Sequence, residues 1–273
     1  MRSAIRRHPS LIWITLMGCL LVGSHAGARA GLAEGEARGY PVLRDAQGRK
    51  LADGEFVQWL EGGRLRVSIV YDFGDGRRVE ERAVLRQQPL AQETWSWRET
   101  RGTTVLRRYE VNIGRGQARA EKLGEDGRET WTEHVDADPA RTFAGIGFSY
   151  AVRQSRSRLR EGEVVELETV GFTPKPRAVK VEIAHAGVDR MSMGGRTLRG
   201  DRFVIHPKLP WLADLFVDVP DATIWLITPP PAGFLRFEGP LAEPDDPIVR
   251  IDLLPGGPSG PARPVGARAS TRR

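Results

Sequence analysis

The chain of 273 residues has a single cysteine, Cys19, which lies in an apolar segment near the N-terminus. No disulfide can form within the chain, and beyond residue 19 no thiol can act as a nucleophile or as a metal ligand. A chain of this length buries enough apolar surface to be stable without disulfides. The shortage of cysteine therefore excludes a disulfide scaffold and thiol chemistry, but not a large core.

The sequence also lacks the motifs of common enzyme classes. It has no Gly-x-Ser-x-Gly segment for a hydrolase nucleophile and no glycine-rich loop before a helix that could hold phosphate. His134, His185 and His206 lie far apart, without the spacing of a metal site. We expect no catalytic residue, no metal and no cofactor.

Two sets of acidic residues could pair for acid–base chemistry, namely Asp201 with Glu238 and Asp245 with Asp246. Such chemistry needs two carboxyl groups held about 5–10 Å apart across a substrate. Acidic residues in turns are more often simply hydrated. We therefore expect these four side chains to be solvated turn residues, and the protein not to be an enzyme.

The net charge of +6 is unevenly distributed along the chain. Residues 1–30 and residues 255–273 each carry four arginines and no acidic residue, so the charges between them nearly balance. This excludes the broad basic surface that nucleic-acid binding requires. The tail, residues 255–273, is rich in proline, glycine and arginine, and we expect it to be disordered.

The first thirty residues have the layout of a secretory signal. Arg2, Arg6 and Arg7 precede an apolar run at residues 11–22, and Ala28-Arg29-Ala30 provides small residues for cleavage. The run is shorter than the roughly 20 residues of a membrane-spanning helix. We therefore expect a signal peptide at residues 1–30, a periplasmic or secreted mature protein, and no transmembrane span in it.

A lipid anchor is the alternative to simple cleavage. Leu16-Met17-Gly18-Cys19 approximates the motif in which a cysteine is lipidated and becomes the new N-terminus. Met17 fits that motif poorly, and the apolar run continues past Cys19. Cleavage after Ala30 is the preferred prediction.

Short alternating segments dominate the rest of the chain. Leu65, Val67, Ile69, Tyr71 and Phe73 alternate with more polar residues, which is typical of a strand with one buried face. An Asp-Gly dipeptide follows, as in a tight hairpin turn. This pattern recurs and predicts a mainly β fold, an antiparallel closed or half-open barrel or a strongly curved sheet.

One helix is expected at residues 140–159, between two runs of strands. Residues 31–53 are weakly patterned and are expected to form a flexible leader, whereas residues 54–254 form a single β-rich domain. The later strands are expected at residues 163–170, 178–186, 189–193, 202–206, 222–227, 234–238 and 248–253.

The second half carries a family resemblance. The residues that carry it are Arg160-Glu161-Gly162-Glu163, Gly187-Val188-Asp189-Arg190, Ala222-Thr223-Ile224-Trp225-Leu226 and the segment at residues 234–241. Residues 159–254 thus resemble a family of uncharacterised exported bacterial β-proteins that contain a domain of unknown function. The preceding strands are similar in architecture to the half-open barrels of periplasmic lipoprotein carriers and related lipid-handling proteins. The resemblance implies an exported β-protein and brings no catalytic motif.

Two groups of apolar residues are candidates for ligand binding. Trp95 and Trp97 share one face of a strand. They can fill the core, line an apolar cavity or form an exposed platform for sugar rings. The segment at residues 208–216 contains Trp211, Leu212 and Phe216, and either caps an open barrel end or forms the lip of a hydrophobic cavity.

These observations leave two functional hypotheses. In the first, the protein is a non-catalytic envelope protein that binds a hydrophobic or lipid-like ligand, or a partner protein, in a β cavity. In the alternative, it is a carbohydrate-binding module or an enzyme that acts on a cell-wall or polysaccharide substrate. The lack of a catalytic motif favours the first.

Overall fold

The computed structural model describes residues 35–193, 195–208, 219–229 and 233–254. The chain divides into two compact units, Met1–Ala30 and Gly31–Arg273, and every described residue belongs to the second. The described residues form fourteen strands, one α-helix and one 3₁₀ turn, Ile113–Arg115. The helix α1 is Gly147–Arg160, and the strands are β1 (Ala37–Asp45), β2 (Lys50–Glu61), β3 (Arg64–Phe73), β4 (Arg77–Gln87), β5 (Leu90–Arg101), β6 (Thr104–Asn112), β7 (Gln117–Gly124), β8 (Gly127–His134), β9 (Val165–Phe172), β10 (Pro176–Met193), β11 (Arg196–Lys208), β12 (Ala222–Ile227), β13 (Phe234–Pro240) and β14 (Ile248–Leu254).

All fourteen strands belong to one antiparallel sheet, in the order β8 to β1 followed by β14 to β9. Apart from β8 and β9, strands that are neighbours in the chain are therefore neighbours in the sheet, and the pairing of β1 with β14 joins the two runs. The edge strands β8 and β9 do not pair with each other, and α1 connects them. Of the expected forms, this confirms a curved, half-open sheet with one helix and rules out a hydrogen-bonded closed barrel.

The alternation predicted for β3 is present in the structure. Leu65, Val67, Ile69, Tyr71 and Phe73 are all buried, and the residues between them are not. Burial of alternate residues places one face of the strand in the core. A similar alternation holds in β4 and β5, so the inner face of the first half is mainly apolar.

The expected flexible leader at residues 31–53 is wrong from residue 37 onward, where β1 begins. Its inward positions are Gly39, Pro41 and Leu43. Glycine and proline are poor strand formers, so the sequence of this segment does not look like a strand. Ladders with β2 and β14 on either side hold it in the sheet regardless of that low propensity.

The helix begins later than predicted, at Gly147 rather than residue 140. Residues 140–146 are irregular because they pass close to other elements. Thr142 forms a bridge with Glu168 on the outer edge of β9. Gly145 has a φ of +52° and lies so close to Glu81 that a Cβ at this position would be 1.9 Å from the carboxylate. Within the described part of the chain, no helix has the length and apolar character needed to cross a membrane.

A β-bulge explains why the sequence pattern predicted two strands, at residues 178–186 and 189–193, where the structure has one. Residues 176–193 form the single strand β10, with a register shift between His185 and Gly187. Gly187 has a φ of +114°, which glycine adopts at little cost. The bulge interrupts the alternation, and beyond it Met191 and Met193 pack with Trp225 in a small separate cluster.

The two main apolar clusters meet at the helix. Tyr150 belongs to the cluster formed largely by β1–β7, whereas Val152 and Leu159 belong to the cluster of β9–β12. Phe172 of β9 stacks on Trp95 and on Tyr109, with ring centroids 5.8 and 4.7 Å apart. Side chains therefore bridge the parts of the sheet that backbone hydrogen bonds do not join.

A buried ion pair fastens the helix to the second half. Asp201 is fully buried, contrary to its expected place in a hydrated turn. Its Oδ2 accepts a hydrogen bond from Arg156 Nε at 2.8 Å, and the Arg156 Nη2 donates to Thr228 Oγ1 at 2.9 Å. Since a buried carboxylate without its cation is costly, the fold depends on this contact.

Replacing Arg156 with methionine should therefore destabilise the protein strongly. The change removes both hydrogen bonds to Asp201 Oδ2 and leaves only the longer contacts of Arg160 Nε at 3.7 Å and His185 Nε2 at 3.5 Å with Oδ1. We expect the free energy of unfolding to fall by about 3 kcal/mol. Urea denaturation followed by circular dichroism measures this.

Arg158→Met is the matched control, because Arg158 pairs with Glu163 at the surface and its loss should change little. Equal midpoints for both variants would contradict the structural role of Arg156.

Candidate ligand-binding cavity

The interior of the sheet contains a cavity of about 500 Å³ between the strands and α1. Ligand pockets for small molecules usually measure about 300–1,000 Å³. Side chains from both halves of the sheet form the wall, which is mainly apolar. Representative members are Phe56, Ile69, Phe172, Ile224, Phe237 and Leu253.

The cavity reaches the protein surface near the start of β1. Ala37 and Arg38 line the cavity and are themselves exposed. Pro207, Val219 and Pro220 also line it, on either side of residues 209–218. Among the described residues, the exposed part of the cavity wall therefore lies at the β1 side.

Trp95 and Trp97 both lie in the cavity wall. Their exposed fractions are 7% and 3%, so they do not form a flat platform at the surface. Trp97 stacks on Tyr109 with ring centroids 5.4 Å apart, and Trp95 stacks on Phe172 with ring centroids 5.8 Å apart. Of the three arrangements considered from the sequence, the two tryptophans combine core packing with a surface facing the cavity.

The other three candidate residues, Trp211, Leu212 and Phe216, lie outside the described residues. Whether they form a lip of the cavity therefore stays a prediction. The residues that flank them in the chain, Pro207 and Val219, do line it.

Sequence reasoning missed the principal charged group of the cavity, Glu81. This residue occupies an inward position of β4, where the neighbouring inward residues Val79 and Ala83 are buried. In the ladders on either side it pairs with Ile69 and Trp97. A signal was present in the sequence, because a carboxylate at an inward place in an otherwise apolar alternation is unusual.

The Glu81 carboxylate has one occupied and one available oxygen. Oε1 accepts hydrogen bonds from Trp95 Nε1 at 2.7 Å and from the Ile146 N–H at 2.6 Å. The latter satisfies a backbone donor at the start of α1, which has no side-chain cap of its own. No described group donates to Oε2, and the half-buried side chain faces the cavity. Burial raises the pKa of Glu81, and the two hydrogen bonds only partly offset this.

Tyr71, also in the wall, supplies a second polar group without a partner. Its side chain is 2% exposed, and its hydroxyl has no hydrogen-bond partner among the described residues. Burial, with the nearby Glu81 charge adding to it, holds the pKa of this phenol well above its ordinary value. The hydroxyl is therefore neutral and can donate or accept one hydrogen bond to a bound molecule.

Several other polar groups of the wall are satisfied within the protein. Tyr150 donates to Gln58 Oε1 at 2.7 Å, and the Gln58 amide donates to the Gly35 carbonyl. Glu243 accepts hydrogen bonds from Tyr109 at 2.6 Å and from Lys122 at 2.7 Å. On the inner face of β3 and β4, the polar atoms still open to a ligand are those of Glu81 and Tyr71.

The histidines do not assemble into a site. His134 ends β8, His185 lies in β10 beside Phe203, and His206 contacts Asp221 at 2.7 Å. Across residues 35–193, 195–208, 219–229 and 233–254, we find no group of three His, Cys, Asp or Glu side chains arranged to hold a metal ion.

Comparison with known proteins identifies no family. No family model and no curated protein matches the sequence. Among solved structures, the hypothetical lipoprotein YmcC of Escherichia coli K12 is 10% identical, over 82% of this chain and 86% of that chain, with a TM-score of 0.37. A likeness this weak carries no functional argument. The family resemblance of residues 159–254 stays a prediction.

The two adjacent carboxylates of β4 should respond to pH in opposite directions. The pKa of Glu81 is raised in the folded state above the ordinary value of 4.5 for glutamate. The native protein therefore loses stability as the pH rises above 4.5, because the buried carboxyl must ionise. Glutamine at this position does not ionise, so Glu81→Gln does not lose stability in this way. The melting temperature of this variant relative to the native protein should therefore increase from pH 4 to about pH 7.

Glu80→Gln is the matched control for this measurement. Partial burial alone would raise the pKa of Glu80, but Arg82 and Arg98 outweigh it and lower the pKa. Its ionised form therefore stabilises the fold at pH values above the ordinary pKa of 4.5, and that stability is lost as the pH falls below it. The melting temperature of this variant relative to the native protein should therefore fall from about pH 3 to about pH 5 and stay constant from there to about pH 7. Melting curves followed by circular dichroism measure both trends. Parallel trends for the two variants would contradict the assigned environments.

Proposed function

We propose that this protein is a non-catalytic, exported envelope protein that binds a hydrophobic ligand in the cavity between the sheet and α1. The observation that carries the proposal is the cavity itself, about 500 Å³ in volume with a mainly apolar wall that opens near Ala37 and Arg38. A preformed apolar cavity with a few converging polar groups is typical of a small-molecule site. Export rests on the signal-like residues 1–30.

The alternative function, carbohydrate binding or cell-wall hydrolysis, has less support. Sugar recognition commonly uses exposed aromatic rings, whereas Trp95 and Trp97 are buried. Acid–base hydrolysis of a glycoside needs two carboxyl groups across a substrate. In the described wall, Glu243 is already bonded to Tyr109 and Lys122, so Glu81 has no free carboxylate to act with there.

Uptake of the polarity-sensitive dye Nile red tests the proposal. Ala222→Trp places a bulky side chain into the cavity from the start of β12. We expect it to weaken dye binding at least about tenfold, since each 1.4 kcal/mol of lost contact corresponds to a factor of ten. Fluorescence titration gives both dissociation constants.

Thr223→Trp provides the control, because the next residue of the strand points to the opposite face and does not line the cavity. It should bind the dye as the native protein does. Melting temperatures confirm that both variants are folded. If the native protein fails to bind Nile red, or Ala222→Trp binds it unchanged, the cavity is not the binding site.

A further inference from the structure

The unsatisfied polar groups of the cavity define the head group of the ligand. Glu81 and Tyr71 lie on neighbouring strands of the same inner face, close enough for the Glu81 charge to act on the Tyr71 phenol. Both hydrogen bonds that Glu81 accepts from the described residues go to Oε1, which leaves Oε2 to the cavity. The buried Tyr71 hydroxyl has no partner among the described residues. A buried hydroxyl is normally hydrogen-bonded, so the open Tyr71 hydroxyl beside a carboxylate oxygen that faces the same cavity indicates a missing partner.

The charge of the Glu81 carboxylate determines which ligand head group fits beside it and Tyr71. Glu81 forms no ion pair with an Arg, Lys or His side chain of the described residues. A negative charge in an apolar wall is unfavourable unless a cation pairs with it. Arg38 and Arg153 also line the cavity, but neither acts on Glu81. At Glu81, an anionic head group would therefore add repulsion, and a neutral hydroxyl would leave the charge uncompensated. A cation with N–H groups neutralises Glu81 and can also donate to the Tyr71 oxygen.

Building on the proposed ligand-binding function, we infer that the cavity takes an amphiphile whose head group is a protonated amine, held between the Glu81 carboxylate and the Tyr71 hydroxyl. The apolar part of the ligand lies against the aromatic and aliphatic wall. Glu81 thus has two roles, since Oε1 fixes Trp95 and the start of α1 while Oε2 binds the ligand.

Isothermal titration calorimetry with two probes of equal chain length, dodecylammonium and dodecyl sulfate, tests the inference below their micelle concentrations. The native protein should bind dodecylammonium at least about tenfold more tightly, because the ammonium forms a charge-assisted hydrogen bond with Glu81 whereas the sulfate is repelled by it. Glu81→Gln keeps an oxygen acceptor for Trp95 and Ile146 but removes the charge. It should abolish the preference by weakening dodecylammonium binding.

Two further variants test whether the preference for dodecylammonium depends on the Glu81 and Tyr71 side chains in particular. Glu80→Gln, on the opposite face beside Arg98, should keep the preference of the native protein. Tyr71→Phe should weaken dodecylammonium binding severalfold and leave dodecyl sulfate binding unchanged, and it decides the matter if Glu81→Gln does not fold.

The outcomes separate this inference from the function on which it rests. Binding of both probes with equal affinity, or a preference that survives in Glu81→Gln, overturns the amine head group and leaves the hydrophobic site standing. Binding of neither probe to the native protein overturns both.

Discussion

Side chains, rather than backbone hydrogen bonds, bring the two ends of this sheet together, and the cavity depends on that arrangement. Phe172 of the edge strand β9 stacks between Trp95 and Tyr109. On the other side, Glu243 in the loop after β13 bonds to Tyr109 and Lys122. A closed barrel would fix its width by its strand number and tilt. Here the bridging side chains and the inserted helix set the width instead, and the space they leave is the cavity.

The helix links the closure of the sheet to the binding site. Arg156 anchors α1 to Asp201 in the second half, whereas the Ile146 N–H at its start contacts Glu81 in the first half. The same carboxylate is therefore part of the scaffold and part of the cavity wall. An ionised group in such a place lowers stability unless it is paired. The proposed ligand binding would account for that cost, because natural proteins often accept local destabilisation at functional sites.

The sequence predicted the strands better than the site, for physical reasons. Alternation in β3 marks its buried face directly, because strand periodicity depends on local sequence. β1 was missed because Gly39 and Pro41 stand at inward positions, where ladders on both sides hold them. Glu81 could have been recognised from its inward position. The cavity could not, because Phe172 and Tyr150 reach its wall through long-range packing that no local pattern records.

The central claim is tested most directly by native mass spectrometry. The protein is produced with its signal-like residues 1–30 and purified from a bacterial envelope without detergent. We predict a complex heavier than the polypeptide, which loses a solvent-extractable amphiphile on mild activation. The Ala222→Trp variant, purified in the same way, should carry none. A native protein that has the mass of the polypeptide alone, or the same adduct on both proteins, would contradict ligand binding in the cavity.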